Sequence, residues 1–364
     1  MLRPDPPPYV KDLIPYVPGK PVEELERELG IRDAIKIASN ENPLGPSPLA
    51  LQAISEALPK INRYPDGDVF YLKHKLAQRL RVKPENLIFG NGSNEVIEIV
   101  ARTFMKPGDV AVMGEHAFIV FPIVTQAVGA KAIISPMPEL THNLRDMFNR
   151  ITSKTKVVFV ANPNNPTGTM VKRHELEWFV ESVPEDIIVV IDEAYFDYVD
   201  DPDYPNSLDY RNLGKSIITV RTFSKIYGLA GLRLGYGVSS EEIISYMNRV
   251  REPFNVNSLA QVAAFAALDD KEHVTKSRGI NIIGLQYLTK ELKKFNLPFA
   301  PSYTNFILVD LDSDPIPIYN ALLREGVIVR PVLNYGLKTH IRVTIGLPEE
   351  NERFISAIKK VLGL

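Results

Sequence analysis

The 364-residue sequence contains no cysteine, and this absence excludes disulfide bonds, thiolate catalysis and cysteine-ligated metal sites. Its six histidines are scattered, and none has the spacing of a metal-binding motif. No apolar run reaches the ~20 residues that a membrane-spanning helix needs, and the N-terminus lacks the apolar core of a signal peptide. We therefore expect a cytoplasmic protein with neither a metal centre nor a membrane segment.

An excess of charge of one sign is also missing. The net charge is −2 and the pI is about 6.4. A nucleic-acid-binding protein would carry a basic patch, and a membrane-surface protein a polybasic one. These values therefore favour small-molecule partners. At this length we expect about two domains of ~100 to 200 residues each.

Proline is concentrated at the start of the chain, where seven of the first 21 residues are proline. This composition predicts an extended arm without helix. A helix with Ser47 as its N-cap and Pro48 as its first residue is predicted to follow and to reach Leu58.

Short apolar runs then alternate with helical stretches, a pattern typical of a doubly wound α/β sheet. The predicted strands of this region lie at 86–89, 109–113, 131–134, 156–160, 187–191, 216–220 and 234–238. A long helical stretch at 241–294, broken near Pro253 and after Asp270, leads into the C-terminal part. That part has predicted strands at 306–309, 327–330 and 341–344 and predicted helices at 318–325 and 349–362.

We therefore predict an α/β protein with three parts. They are a proline-rich arm at 1–35, a large domain at 36–250 with a mostly parallel, doubly wound sheet, and a smaller α+β domain at 251–364. In such sheets ligands bind at the carboxyl ends of the strands, so polar residues that follow predicted strands are the candidates for a site.

Lys225 is one such residue, because it follows the predicted strand at 216–220. Hydroxyl residues precede it and Arg233 lies eight residues further on. A lysine whose pKa is lowered by burial or by positive neighbours becomes a nucleophile, and aldehyde cofactors are held by such lysines as Schiff bases. A single loop lysine is more often a solvated charge, so this interpretation depends on the other clusters.

Three more polar clusters follow predicted strands. The Asn-Pro-Asn-Asn-Pro-Thr-Gly run at 162–168 contains turn signals, and Asp192 ends a continuous apolar run. The glycine-containing run at 89–95 leads into a helix with an apolar face. A helix N-terminus reached through small residues binds phosphate with its free N–H groups. Each cluster alone has an ordinary structural explanation as a turn or a cap.

In this order the clusters resemble the fold-type I pyridoxal-phosphate aminotransferases, and most closely their histidinol-phosphate aminotransferase subgroup. The matching motifs span residues 40–346 and are Asn40-Glu41-Asn42-Pro43, Arg63-Tyr64-Pro65-Asp66, the turn at 164–168, Asp192-Glu193-Ala194-Tyr195, Ser224-Lys225 with Gly231-Leu232-Arg233, and the run at 340–346. The resemblance implies the fold-type I architecture and pyridoxal 5'-phosphate as cofactor. It also implies transamination between L-histidinol phosphate and 2-oxoglutarate, giving imidazole-acetol phosphate and L-glutamate, in histidine biosynthesis.

The resemblance also implies a role for each matching residue around the cofactor. Lys225 would attach the cofactor and move the substrate's proton, Asp192 would keep the ring nitrogen protonated, and Tyr195 would bond the ring oxygen. Asn165 would bond the same oxygen, and Phe118 would stack on the ring. The phosphate would be held by Ser93, Asn94, Thr222, Ser224, Arg233 and, from the neighbouring subunit of a homodimer with shared active sites, Tyr64.

On the substrate side, the resemblance implies two arginines that receive anions. Arg342 and Arg330 would bind the phosphate of histidinol phosphate and the carboxylates of glutamate in turn. Tyr16 would close over the same group, and Asn42 would line the pocket. His116 is interpreted as structural.

Alternatives remain open at this stage. An aromatic or broad-specificity aminotransferase of the same subgroup has the same cofactor motifs, and a threonine-phosphate decarboxylase has the same fold. A nicotinamide dehydrogenase would need a third glycine, which the Gly235-Tyr236-Gly237 run lacks. A non-catalytic binding protein would be expected to lose Lys225 or Asp192, and both are present.

Overall fold

A seven-stranded sheet forms the centre of the molecule in the computed structural model, which describes residues 5–364. The β-strands are β1 (Ile35–Lys36), β2 (Leu87–Asn91), β3 (Val110–Gly114), β4 (Lys131–Ser135), β5 (Thr155–Ala161), β6 (Ile188–Asp192), β7 (Ile217–Thr222), β8 (Leu234–Val238), β9 (Phe306–Asp310), β10 (Val327–Ile328), β11 (Arg330–Pro331) and β12 (His340–Thr344). The α-helices are α1 (Pro8–Lys11), α2 (Val22–Leu29), α3 (Pro48–Ala57), α4 (Phe70–Leu80), α5 (Ser93–Phe104), α6 (Val120–Ala127), α7 (Leu144–Asn149), α8 (Arg173–Ser182), α9 (Glu241–Val250), α10 (Ser258–Ala267), α11 (Lys271–Lys294), α12 (Pro315–Arg324) and α13 (Pro348–Leu362). Within residues 5–364 no helix is both long enough and apolar enough to cross a membrane.

The central sheet has the strand order β2-β8-β7-β6-β5-β3-β4. Its strands from β7 to β4 are parallel to one another, whereas β8 runs antiparallel to both of its neighbours. The seven predicted strands of the large domain and the mostly parallel sheet are therefore confirmed. The helix predicted after Ser47 is confirmed as α3, and the Ser47 side chain accepts a hydrogen bond from the Ala50 N–H.

The sheet is covered on both faces, which explains the continuous apolar runs of its strands. Along β5, Val157 and Phe159 pack into one apolar cluster, with residues of α5, α6 and α9. The intervening Val158 and Val160 pack into another, with residues of α7 and α8. Successive strand side chains point to opposite faces, so an all-apolar strand needs a core on each side.

The helical region after the sheet is divided as predicted. Asn257 caps α10 by accepting a hydrogen bond from the Ala260 N–H, and Asp270 caps α11 by accepting one from the His273 N–H. Asn257 lies just after the break predicted near Pro253, and Asp270 is the residue after which the second break was predicted. Both caps satisfy N–H groups that have no partner within the helix.

The C-terminal part contains an antiparallel sheet of order β11-β12-β9, which packs against α11 and α13. The single strand predicted at 327–330 is wrong, because the chain changes partners there. β10 pairs in parallel with β1, whereas β11 pairs with β12. The β1–β10 pair ties residues 35–36 to the C-terminal part, and the boundaries drawn at 35 and 250 stay a prediction.

The prediction of a helix-free arm is wrong at α1 and, within the bounds of 1–35, also at α2. At α1 proline itself takes part in the helix. Pro8 begins this single turn and Pro7 precedes it. Proline is compatible with the first turn of a helix, where its missing N–H has no intrahelical partner to lose. The part of the arm prediction that concerns residues 1–4 lies outside the described residues.

Candidate active site

A cavity of about 350 Å³ opens at the carboxyl ends of the parallel strands. Its walls include Ala161, Asp192 and Thr222 from the ends of β5, β6 and β7. The full lining is Ser39, Glu41, Ser93, Asn94, Phe118, Ala161, Pro163, Asn165, Asp192, Ala194, Tyr195, Thr222, Ser224, Lys225, Ala230, Gly231 and Arg233. The structure thus brings ten of the predicted site residues to one cavity from segments that are far apart in sequence.

Lys225 lies three residues after β7, with its amine facing the cavity. Its Nζ donates a hydrogen bond of 3.4 Å to the Ser39 carbonyl. Desolvation by the surrounding protein lowers the pKa of Lys225 to about 8, and the positive charge of Arg342 adds to this effect. A substantial fraction of this amine is therefore neutral near physiological pH and able to act as a nucleophile.

Asp192 is the last residue of β6 and is only 3% exposed. One carboxylate oxygen accepts a hydrogen bond of 3.0 Å from the Ala194 N–H. Burial raises the pKa of Asp192 to about 7, because a buried carboxylate loses its hydration. This carboxylate would be stabilised as an anion by a cationic group bound in the cavity.

Tyr195 follows this strand end by three residues and lines the cavity, and its ring centre is 5.8 Å from the Lys225 Nζ. Its hydroxyl oxygen accepts a hydrogen bond of 2.8 Å from the Asn40 side-chain amide. Burial raises the pKa of Tyr195, so the phenol keeps its proton and can donate it to a ligand.

The N-terminus of α5 forms another wall of the cavity. Gly92 is the N-cap of this helix, and Ser93 and Asn94 contribute to the lining. A Cβ at Gly92 would lie 2.6 Å from the Arg233 guanidinium, and one at Gly235 would lie 2.3 Å from the Ser93 nitrogen. Glycine at both positions lets Arg233 and β8 approach the helix N-terminus. N–H groups, the helix dipole and an arginine together make an anion site.

Arg342, on β12, is 7% exposed and reaches toward the same region. Its guanidinium donates hydrogen bonds of 2.5 Å to the Asn165 Oδ1 and 2.8 Å to the Ala38 carbonyl. The bond to Oδ1 leaves the amide N–H groups of Asn165 available as donors. Among the described residues the buried Arg342 Nε has no partner, and a bound anion would supply one.

The structure does not bring the remaining predicted residues into this cavity. Tyr64 is 84% exposed and stacks on Phe254 with 5.0 Å between ring centres. Tyr16 and Arg330 line a second cavity of about 670 Å³, in which the guanidinium carbon lies 5.5 Å from the Tyr16 ring centre. Asn42 is buried, and its amide donates to the Ile226 carbonyl and to the Ser277 hydroxyl, both at 2.8 Å.

Three residues near the site were missed by the sequence interpretation. Ser39 and Glu41 line the cavity, and Asn40 holds Tyr195. The Asn40-Glu41-Asn42-Pro43 motif marked this segment, but no sequence signal told which of its side chains faces the cavity. The His116 Nδ1 donates a 2.7 Å hydrogen bond to the Tyr335 carbonyl, which agrees with a structural role.

Comparison with known proteins decides the family. Residues 32–358, nearly the whole chain, match the family model described as aminotransferase class I and II. The chain belongs to this aminotransferase family. The cavity therefore lies where an aminotransferase of this fold would carry its site, at the carboxyl edge of the central sheet.

Several proteins resemble this aminotransferase over almost its full length. Histidinol-phosphate aminotransferase 2 of Pseudomonas fluorescens (strain Pf0-1) is 53% identical over 358 residues, which cover 98% of this chain and 97% of the relative. Histidinol-phosphate aminotransferase of Moorella thermoacetica is 52% identical, covering 96% of this chain and 91% of the relative. One similar solved structure is histidinol-phosphate aminotransferase from Sinorhizobium meliloti in complex with pyridoxal-5'-phosphate. It superposes with a TM-score of 0.90 at 27% sequence identity, and the match covers 98% of this chain and 97% of that one. The predicted fold-type I architecture is confirmed.

Proposed function

We propose that this aminotransferase uses pyridoxal 5'-phosphate to transfer an amino group between L-histidinol phosphate and 2-oxoglutarate, in cytoplasmic histidine biosynthesis. The observation that carries the proposal is the convergence of Lys225, Asp192 and the N-terminus of α5 on one cavity. The choice of substrate is supported by the 53% identity to a histidinol-phosphate aminotransferase over 98% of the chain.

The residues of the cavity fit this cofactor chemically. The buried carboxylate of Asp192 lacks a cationic partner among its hydrogen bonds within the described residues, and a protonated pyridine nitrogen would supply one. The anion site at the α5 N-terminus, with Ser224 and Arg233 beside it, suits a phosphate monoester. When bound, the cofactor supplies the electron sink for the charge left when the substrate loses its α-proton.

The chain's own residues have separate tasks in the proposed reaction. The Lys225 amine would hold the cofactor and carry the α-proton, because its lowered pKa suits an acid–base role near neutral pH. Asp192 would keep the ring nitrogen protonated. Tyr195 and Asn165 would donate to the ring oxygen, and Phe118, in the cavity wall, would pack on the ring.

Arg342 is proposed to bind the anionic group of each substrate in turn. Its Nε is a buried donor without a partner within residues 5–364, and its guanidinium is already fixed by Asn165 and Ala38. A fixed fork of donors binds a phosphate or a carboxylate without a large further loss of side-chain entropy. Arg330 and Tyr16 are proposed to act beside it, and their cavity is large enough to admit part of a ligand. Asn42 would contact the substrate only after its amide gives up its hydrogen bonds to Ile226 and Ser277.

Two measurements test the proposal together. Borohydride reduction of the yellow protein, followed by peptide mapping, should locate the cofactor on Lys225. The variant Lys225→Ala should lose this label, whereas Lys83→Ala, at an exposed lysine, should keep it.

Single-turnover rates with histidinol phosphate, phenylalanine, tyrosine and threonine phosphate should be highest for histidinol phosphate. A higher rate with the aromatic amino acids would replace this proposal with a broad-specificity aminotransferase.

We further propose a homodimer in which Tyr64 contributes to the partner's cofactor site. Tyr64 belongs to a group of exposed apolar side chains near α4, which also includes Ile61, Phe70, Tyr71 and Phe254. Large exposed apolar groups of this kind mark protein interfaces. Their burial by a second copy would remove this surface from water.

Mixed dimers test the shared site. Tyr64→Ala and Lys225→Ala should each be inactive, but mixing them under exchange conditions should restore one working site in every heterodimer. The pair Lys225→Ala and Asp192→Asn should not complement, because both residues belong to the same subunit's site. A fully active monomer would contradict the dimer proposal.

A further inference from the structure

Asn40 does not line the cavity, but it contacts Tyr195, which does. Its side-chain Nδ2 donates to the Tyr195 hydroxyl oxygen at 2.8 Å. Asn40 is 1% exposed and Tyr195 is 3% exposed, so water does not compete for this bond. The two residues are 155 positions apart in sequence, and only the fold brings them together.

The C-terminal sheet holds Asn40 in place. The Asn40 N–H donates to the Thr344 Oγ1 at 2.9 Å, and the Thr344 hydroxyl donates to the Asn40 Oδ1 at 3.2 Å. The Asn305 amide donates to the Asn40 carbonyl at 3.0 Å. The backbone at Asn40 has a φ of +55°, a left-handed conformation that asparagine tolerates better than most residues.

These contacts also determine which end of the Asn40 amide faces Tyr195. The proton of the Thr344 hydroxyl is directed to Oδ1, so this oxygen faces β12 and the NH₂ group faces the phenol. An amide that donates to a phenol oxygen leaves the phenolic proton free to point elsewhere. The proton of Tyr195 is thereby free to point into the cavity, and the incoming hydrogen bond makes the hydroxyl a stronger donor.

We propose that Asn40 is a positioning residue that fixes Tyr195 as a hydrogen-bond donor to the ring oxygen of the cofactor. The inference rests on the proposed function, because it assumes that pyridoxal 5'-phosphate occupies the cavity. β12 carries both Thr344, which anchors Asn40, and Arg342, which contacts Asn165. One strand of the C-terminal sheet therefore orients both proposed donors to the ring oxygen.

The pH titration of the visible absorption band of the holoenzyme tests this role. A hydrogen bond donated by Tyr195 would draw electron density from the ring oxygen. The proton that this oxygen would share with the Lys225 nitrogen would then be bound less tightly. Weaker donation should therefore raise the pKa of this band. A neutral hydrogen bond contributes ~0.5 to 1.5 kcal/mol, and one pKa unit corresponds to ~1.4 kcal/mol, so Asn40→Ala should raise this pKa by about 0.4 to 1.

The variant Asn40→Asp makes the test independent of folding. Aspartate has the same shape and tolerates a positive φ, but its carboxylate accepts a hydrogen bond from Tyr195 and withdraws the phenolic proton from the cavity. Its shift should be upward and at least as large as that of Asn40→Ala. In the Tyr195→Phe background Asn40→Ala, which adds no charge, should not shift the band further. Asn281→Ala, which removes another buried amide that donates to a backbone carbonyl, should leave the band unchanged.

The outcomes separate this inference from the proposed function. A wild-type protein that binds no pyridoxal 5'-phosphate and shows no visible band refutes the proposed function. A wild-type protein with a titrating band, combined with an unshifted band in Asn40→Asp, refutes the role of Asn40 alone. Equal shifts of the Asn40→Ala band with and without the Tyr195 hydroxyl would also refute it, because Asn40 would then act by another route.

Discussion

Lys225 should react with an aldehyde at neutral pH far faster than an ordinary lysine. Burial and the charge of Arg342 lower its pKa to about 8, from a normal value of 10.5. At pH 7 a pKa of 8 leaves roughly one amine in ten neutral, whereas a pKa of 10.5 leaves about one in three thousand. The structure therefore predicts a reactive fraction about 300-fold larger than that of a solvent-exposed lysine.

The assay is the rate at which cofactor-free protein takes up pyridoxal 5'-phosphate between pH 6 and pH 10, followed by stopped-flow absorbance. The rate should rise about tenfold per pH unit up to pH 8 and then level off, because the amine is fully neutral above its pKa. Lys225→Ala serves as the control. Its residual reaction at the remaining lysines should still be rising at pH 10.

Two variants with opposite effects test the electrostatic origin of the shift. Arg342 lowers the pKa of Lys225 and Glu41 raises it. Arg342→Gln should therefore move the midpoint of the rate profile upward, and Glu41→Gln should move it downward. A rate that climbs without levelling to pH 10, or two midpoints that move in the same direction, would refute the reasoning.

Three further predictions concern other buried charges. Burial raises the pKa of Asp192 to about 7, so the folded cofactor-free protein loses stability as the pH rises from about 3.8 to 7. Asp192→Asn should therefore gain stability relative to wild type between pH 5 and pH 8 in urea unfolding, while its holoenzyme turns over at least ~10²-fold more slowly. Arg342→Ala should lower kcat/KM at least ~10-fold in both half-reactions, and intact enzyme should use histidinol poorly compared with histidinol phosphate. Arg221→Met should lower the unfolding free energy by ~3 to 5 kcal/mol in calorimetry, because the Glu193 carboxylate, 1% exposed and 2.8 Å from Arg221, would be left buried without its partner.

Much of the sheet could be predicted because its strands are buried on both faces. All five residues of β6 are buried, and the apolar run at 188–191 that this burial requires stands out in sequence. Asp192 ends β6, and Thr222 ends the neighbouring parallel strand β7, so both lie at the same edge of the sheet. Parallel strands place their carboxyl ends together, so local motifs in separate segments were enough to assemble Lys225, Asp192 and the α5 N-terminus in advance.

The errors lie where local preference and tertiary contact compete. Residues 327–330 have a strand-like composition, but the sequence does not say that the chain leaves β1 for β12 within four residues. Pro8 allows one helical turn despite the prolines around it. Asn42 could be marked as part of a motif, but its amide turns away from the cavity toward Ile226 and Ser277.

The sequence by itself determined the family, the order of the strands along the chain and the position of the nucleophilic lysine, because each depends on short runs whose burial or turn chemistry is local. Only the tertiary structure decided how those residues are tuned. The burial that lowers the pKa of Lys225 comes from several segments. The bonds from Arg342 to Asn165 and from Asn40 to Tyr195 join residues 177 and 155 positions apart. Such contacts depend on packing across the two sheets, and no periodicity or motif in one segment specifies its partner in another.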